Sequence, residues 1–343
     1  MSGSPAPYKA AIKLSDFDSL IEQKLVRVKD YPEQNLCVIK YQGKVFYDNL
    51  WGQDKLLNEA RGIVFDTITG EVVIWPFTKV FNHHENGTKC DPDTMVIAPR
   101  KINGFMASMS FHNGKAIVAT TGTLDSEYVA LAEEYLLERS ITSLMPHIGG
   151  INTLLFEICH PKDPHIVDEE FGAYLIGGRN HETGLMFSEQ DLDSLAKDTT
   201  MKRPEWNRMK FGDLVKLSRT VEHEGFMVRL LDGTTVMKIK TPHYLTKKFL
   251  MRMGAKKVEL LYNDAQFKQT IDEEYYDLVD HIKENYSKET FLGMSDQDRK
   301  AGIEAFWRER DAKAYAVPSP GVTGQREVYT GCDSGDCLAC ATL

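Results

Sequence analysis

The stretch "PRKINGFMASMSF", Pro99 to Phe111, decides how this chain is read. The apolar run Met95–Ala98 leads into it, and Phe105–Phe111 has the character of a second strand. Between the two lie a lysine and an Asn-Gly turn signal. Lys101 is therefore either a solvated hairpin lysine or a nucleophile that a strand delivers into a pocket. The spacing Lys-x-x-Gly does not separate these readings, because "KYQG" at Lys40–Gly43 shows it too. The decision rests on what else the chain offers Lys101.

Working outward, residues from about 24 to 120 read as short strands broken by turns: "KLVRVKD", "LCVIKYQ", "KVFYD", "GIVFD", "EVVIW", "MVIAP", "FMASMSF" and "KAIVAT". A helix is expected in "LDSEYVALAEEYLLERSI", with Asp125 or Ser126 as cap and Val129, Ala132, Tyr135, Leu136 and Arg139 at helical spacing. Strands resume at "TLLFEIC" and "AYLIGG", a short helix follows at "SEQDLDSLAK", and "GFMVRLL" and "TVMKIK" flank the turn "LDGTT". The pattern predicts an α+β domain of antiparallel sheets with flanking helices over residues 1–242. After Thr241 the strand signal stops, and residues 243–317 are expected to form a smaller all-helical C-terminal domain. From Pro318 the composition turns to Pro, Gly, Ser and Thr, so 318–343 reads as a disordered tail.

The chain has 343 residues, 42% of them hydrophobic and 27% charged, which suits one large domain and a smaller one. A net charge of −9 argues against a protein that coats nucleic acid indiscriminately, while leaving room for a local basic groove. The opening "MSGSPAPYKAA" lacks the apolar segment of a signal peptide. Six cysteines, three scattered (Cys37, Cys90, Cys159) and three near the end (Cys332, Cys337, Cys340), do not make a disulfide framework. The expectation is a cytoplasmic monomer with no membrane contact.

A lysine that captures a phosphoryl group needs a neutral amine, so it must be partly desolvated or sit near other cations. The attacked phosphate needs basic residues and a divalent metal around it, and the metal needs carboxylates. Glu157 lies inside the apolar run "LLFEIC", where an acid is costly to bury unless paired or on a metal. Glu224 opens "EGFMVRL" beside a glycine. Lys238 and Lys240 alternate with Met237 and Ile239, so both point to one sheet face, an arrangement suited to an anion. Arg61 in "EARGIVFD" and Lys79 in "PFTKVFN" add cations at other strand edges.

The order Arg, Lys, Lys-x-x-Gly, Glu, Glu-Gly, Lys-x-Lys resembles the covalent lysyl-nucleotidyltransferase superfamily of polynucleotide ligases and capping enzymes. "EARGIVFD" with "PFTKVFN" is similar to the N-terminal signature of bacteriophage ATP-dependent RNA ligases of the RNA ligase 1 type. The resemblance implies an ATP-grasp-like nucleotidyltransferase domain in which Lys101 takes AMP from ATP, passes it to an RNA 5′-phosphate, and a 3′-hydroxyl then displaces it. It implies that Arg61, Lys79, Lys238 and Lys240 contact ATP phosphates and that Glu157 and Glu224 position Mg²⁺ (or Mn²⁺) or nucleotide. It further implies close backbone approach at Gly104 and packing of Phe81 on adenine. One departure is Thr121, which stands where these ligases commonly carry a basic residue. The run "TKKFLMRMGAKK" offers Lys247, Lys248, Arg252, Lys256 and Lys257 as RNA phosphate contacts. A capping-type guanylyltransferase, or a nucleic-acid-binding relative with impaired ligation, is the alternative reading.

Overall fold

The computed structural model describes residues 11–137, 142–144, 151–199 and 201–314. In chain order the strands are β1 (Val26–Tyr31), β2 (Leu36–Tyr41), β3 (Arg61–Asp66), β4 (Val72–Ile74), β5 (Met95–Lys101), β6 (Phe105–His112), β7 (Lys115–Ala119), β8 (Asn152–Cys159), β9 (Gly172–Asn180), β10 (Trp206–Lys210), β11 (Gly225–Arg229) and β12 (Thr235–Lys240). They make three four-stranded sheets, ordered β1-β2-β3-β4, β7-β6-β8-β9 and β10-β5-β11-β12. Every pairing between these strands is antiparallel.

Burial explains the pattern. Leu154, Phe156 and Ile158 on β8 pack with Ala107 and Met109 of β6 and with the helices Glu127–Leu136 and Glu189–Lys197. Leu155 on the opposite face of β8 is buried as well, so the strand reads as a continuous apolar run rather than as alternation. Leu36, Val38, Val64 and Ile74 of the first sheet meet Ala119 of β7, which joins the first two sheets. The third sheet covers its apolar face with the helix Phe211–Ser218. Ser126 and Ser188 cap the two helices on the second sheet, each accepting the backbone N–H of the third helical residue, Val129 and Asp191.

Thr241 caps a helix that starts at Pro242, immediately after β12, with its hydroxyl accepting from Tyr244 N–H. From there to Ala314 the described chain is helical, with a core of its own around Phe249, Leu278, Ile282 and Trp307. Ile166 and Val167, from the loop after β8, pack against that core.

Several expectations change. "KVFYD" is not a strand but a helical turn, Gly43–Tyr47, in which Val45 alone is buried; one inward residue per turn suits a helix, not a half-buried strand. β10 and the helix after it were not anticipated, because "WNRMK" is an edge strand with no buried face to imprint alternation. The expected helix is formed over Glu127–Leu136, and Arg139 lies outside the described residues, as do the tail and its three cysteines. Among the described residues no helix is long and apolar enough to cross a membrane.

Candidate active site

Lys101 is the last residue of β5 in the third sheet, whereas β6 belongs to the second. The segment Ile102–Gly104 therefore carries the chain from one sheet to another and closes no hairpin. Asn103 fastens this crossing: its side-chain N–H donates to Glu224 Oε2 at 2.9 Å and its Oδ1 accepts Val167 N–H at 2.9 Å. A Cβ on Gly104 would lie 2.4 Å from the carbonyl oxygen of Ile158, so the close approach at this glycine is to β8. Gly104 N–H also donates to Glu157 Oε1 at 3.1 Å, which orients that buried carboxylate toward the crossing.

Lys101 Nζ lies 2.9 Å from Glu224 Oε2. The register explains the contact. Gly225 on β11 faces Lys101 on β5 and Lys240 on β12, so one row crosses the sheet and Glu224 enters just before it. Only glycine suits position 225: its φ is +154°, and a Cβ would sit 1.9 Å from the Ile239 carbonyl oxygen.

The charge balance differs from the simple requirement of a neutral nucleophile. Burial lowers the Lys101 pKa, but the carboxylates of Glu224 and Glu157 outweigh it and hold the amine above the ordinary lysine range. Burial raises Glu157, with Lys101 opposing. The desolvated, cation-surrounded lysine is instead Lys238, brought down to about 7 by burial and by Lys240, Arg61 and Lys79. Those four cations are thus gathered within one field. The segment that carries Lys79 is held to β12 by backbone bonds, Lys238 N–H to Phe81 O (2.9 Å) and His83 N–H to Lys238 O (2.8 Å). Lys79 Nζ lies over the rings of Trp51 and Phe81, 4.9 Å from each centroid, and 3.5 Å from Glu85 Oε1. Phe81 itself packs edge-on to Trp51 at 5.8 Å.

The sequence pattern of the family described as RNA ligase matches residues 59–276, a span that holds all of these side chains except Trp51. The chain belongs to the RNA ligase family. RNA ligase 1 of bacteriophage TS2126 is 29% identical over 157 residues, 40% of this chain and 40% of that protein. A putative RNA ligase of Thermovibrio ammonificans is 25% identical over 203 residues, covering 55% of this chain and 52% of that one. The chain thus matches about half or less of the length of these curated relatives. An archaeal ATP-dependent RNA ligase shares the fold with a TM-score of 0.56 at 12% identity, over 87% of this chain and 78% of that one. A putative ATP-dependent DNA ligase from Aquifex aeolicus does so with a TM-score of 0.53 at 13% identity, over 88% and 80%.

In this RNA ligase family member the basic run after β12 divides. Lys247, Arg252, Lys256 and Lys257 are exposed, Arg252 with Asp272 Oδ2 at 3.0 Å. Lys248 is buried instead, 2.9 Å from Glu274 Oε1 and 2.8 Å from Asp272 Oδ2, so it braces the helical region rather than facing solvent. Its helix starts directly on β12, which turns that one position inward toward Tyr275. Glu274 also binds Lys240 through its other oxygen, and nothing in "IDEEYYDL" marks which of its acids would do so. Asn103 likewise carries no sequence mark of its bracing role, since its Asn-Gly reads only as a turn signal. The Glu157 and Glu224 carboxylates, both beside Lys101, are hard oxygen donors of the kind Mg²⁺ or Mn²⁺ takes together with substrate oxygens. Among the described residues no cluster of three or more metal-ligating side chains occurs.

Proposed function

We propose that the chain is an ATP-dependent RNA ligase that joins 5′-phosphate and 3′-hydroxyl RNA ends through a lysyl-AMP on Lys101 and an adenylylated RNA. The observation that carries this reading is the placement of Lys101: it ends a strand between two buried carboxylates, within the span matched by the family. In the first step the Lys101 nitrogen attacks the α-phosphorus of ATP, an N–P bond forms, and the bond to the pyrophosphate oxygen breaks. Lys101 starts as a cation, so a proton must leave, and Glu224 at 2.9 Å is placed to accept it. Arg61, Lys79, Lys238 and Lys240 offset the charge that gathers on the phosphate oxygens. Mg²⁺ or Mn²⁺ held at Glu157 and Glu224 would supply further neutralisation there.

The same proposal divides the chain into an adenylyltransferase domain, 1–242, and a helical domain, 243–317, whose exposed Lys247, Arg252, Lys256 and Lys257 would meet RNA phosphates. The test is incubation with α-labelled ATP and Mg²⁺ followed by denaturation. Label retained on the wild type and absent from Lys101→Ala supports the reading. Equal label on both would sink it, and label from GTP alone would indicate a guanylyltransferase.

A further inference from the structure

Three cations stand in a row across the first sheet. Arg27 on β1 faces Lys40 on β2, and Lys40 faces Arg61 on β3. Directly opposed residues of antiparallel strands share a sheet face, and like charges so placed destabilise it. Among the described residues neither Arg27 nor Lys40 has a carboxylate partner. Burial, Arg27 and Arg61 all hold Lys40 below its ordinary pKa, and no acid offsets them. Two neighbouring cations, Arg27 and Lys40, that cost stability and face no carboxylate call for an external anion.

The surroundings are built. Gly62 forms a bulge beside Arg61 with φ +94°, and a Cβ there would lie 2.8 Å from the backbone of Thr121. The loop thereby reaches the cations: a Cβ on Gly122 would meet Lys40 Cδ at 3.1 Å and an Arg27 guanidinium nitrogen at 3.4 Å. Lys29 and Tyr31 of β1 pin the same loop through Asp125 (2.6 Å from Lys29 Nζ) and Thr123 (2.9 Å from the Tyr31 hydroxyl). Arg27, Lys40, Thr121 and Gly122 line one cavity of about 950 Å³. Thr121 is neutral, so the positive charge of this wall comes from β1 and β2. At its inner end the row is continuous with the catalytic cations, since Arg61 acts on Lys238 as well as on Lys40. At its outer end Arg27 is exposed.

We infer that Lys40 and Arg27, in line with Arg61, bind the pyrophosphate end of the triphosphate and stabilise it as it leaves. This rests on the ligase reading above. When the Lys101 nitrogen bonds to the α-phosphorus, the bridging oxygen departs with the bonding electron pair, and the new charge on pyrophosphate is met by the row. A short row of three cations with a solvent-exposed end fits a compact polyanion that must leave, more than a long RNA backbone. The "KYQG" lysine, which shares its spacing with Lys101, thus has a task of its own.

The test uses the full chain, with inorganic pyrophosphate as the probe. Titration calorimetry should show pyrophosphate binding to wild type weakened about tenfold or more in Lys40→Met and in Arg27→Met, and largely kept in Lys40→Arg. The rate of adenylylation by ATP should fall by a similar factor, with the loss absent from sealing of RNA adenylylated beforehand, a step that releases AMP and no pyrophosphate. Without ligand, both methionine variants should melt no lower than wild type, because a like-charge contact has gone. Unchanged pyrophosphate affinity overturns the inference, and so does an equal loss in both steps, which would assign the row to RNA. If wild type takes no label from ATP, the ligase reading fails, while the pyrophosphate titration still decides whether the row binds this anion.

Discussion

Lys101 Nζ and Glu224 Oε2 are 2.9 Å apart, so the proposed nucleophile is ion-paired to the carboxylate proposed to take its proton. With the amine held above the ordinary lysine range, very little is neutral at pH 7. Glu224→Gln removes the largest interaction that raises the amine and leaves burial to lower it. Labelling of Lys101 by an amine-reactive reagent, read by mass spectrometry across pH 7 to 11, should therefore begin at lower pH in Glu224→Gln than in wild type. A shift in the opposite direction, or none, would remove Glu224 from this role.

The row Lys101, Gly225, Lys240 exists only because Gly225 lets β11 and β12 come together. Gly225→Ala places a methyl 1.9 Å from a backbone oxygen at a φ that side chains rarely adopt. The expected cost is about 3 kcal/mol or more, among the large values for single substitutions. Thermal melting measures it. Gly52→Ala is the control, since a Cβ at Gly52 meets nothing within 4 Å and the change should scarcely move the melting temperature.

The parts of this site that were legible in the sequence are the charged residues lying in apolar strands. Glu157 in "LLFEIC" and the alternating Lys238 and Lys240 stand out because burying charge is costly and period two assigns a face. The remainder depends on register and on long-range pairing. That Lys40 faces Arg61 follows from a bulge at Gly62, and no local pattern announces it. The Asn-Gly after Lys101 suggested a hairpin, yet neither residue has positive φ, and the chain changes sheet there. Glu274 is one acid among several in a charged helical region; its selection is made by where β12 ends and the helix Pro242–Arg252 points Lys248.

Lys238 makes a pH prediction. Its folded value of about 7 lies below the ordinary lysine value of 10.5, so folding opposes its charged form. The resulting destabilisation is complete below pH 7 and fades as pH rises from 7 to 10.5, where the unfolded amine also loses its proton. Lys238→Met should accordingly raise the melting temperature most near pH 6, less at pH 9, and hardly at all above 10.5. A gain that is equal at every pH would mean that packing, not charge, sets the difference.

Glu274 carries the opposite sign. Burial raises its pKa, but Lys240 and Lys248 overcome this and bring it to about 2, against an ordinary 4.5. Its carboxylate therefore contributes stability that is fully present above pH 4.5 and is lost as pH falls toward 2. Glu274→Gln leaves Lys240 buried without its anion, and breaking a buried pair from one side costs about 3–5 kcal/mol. Denaturant unfolding at pH 7 should show a deficit of that order, and the deficit should shrink as the comparison is repeated from pH 4.5 downward. Lys240→Met together with Glu274→Gln should recover part of the loss at pH 7, since Lys240 no longer leaves a buried cation without its anion, while Lys248 keeps Asp272. A double variant no more stable than Glu274→Gln alone would show that Glu274 acts through Lys248 and not through the lysine at the end of β12.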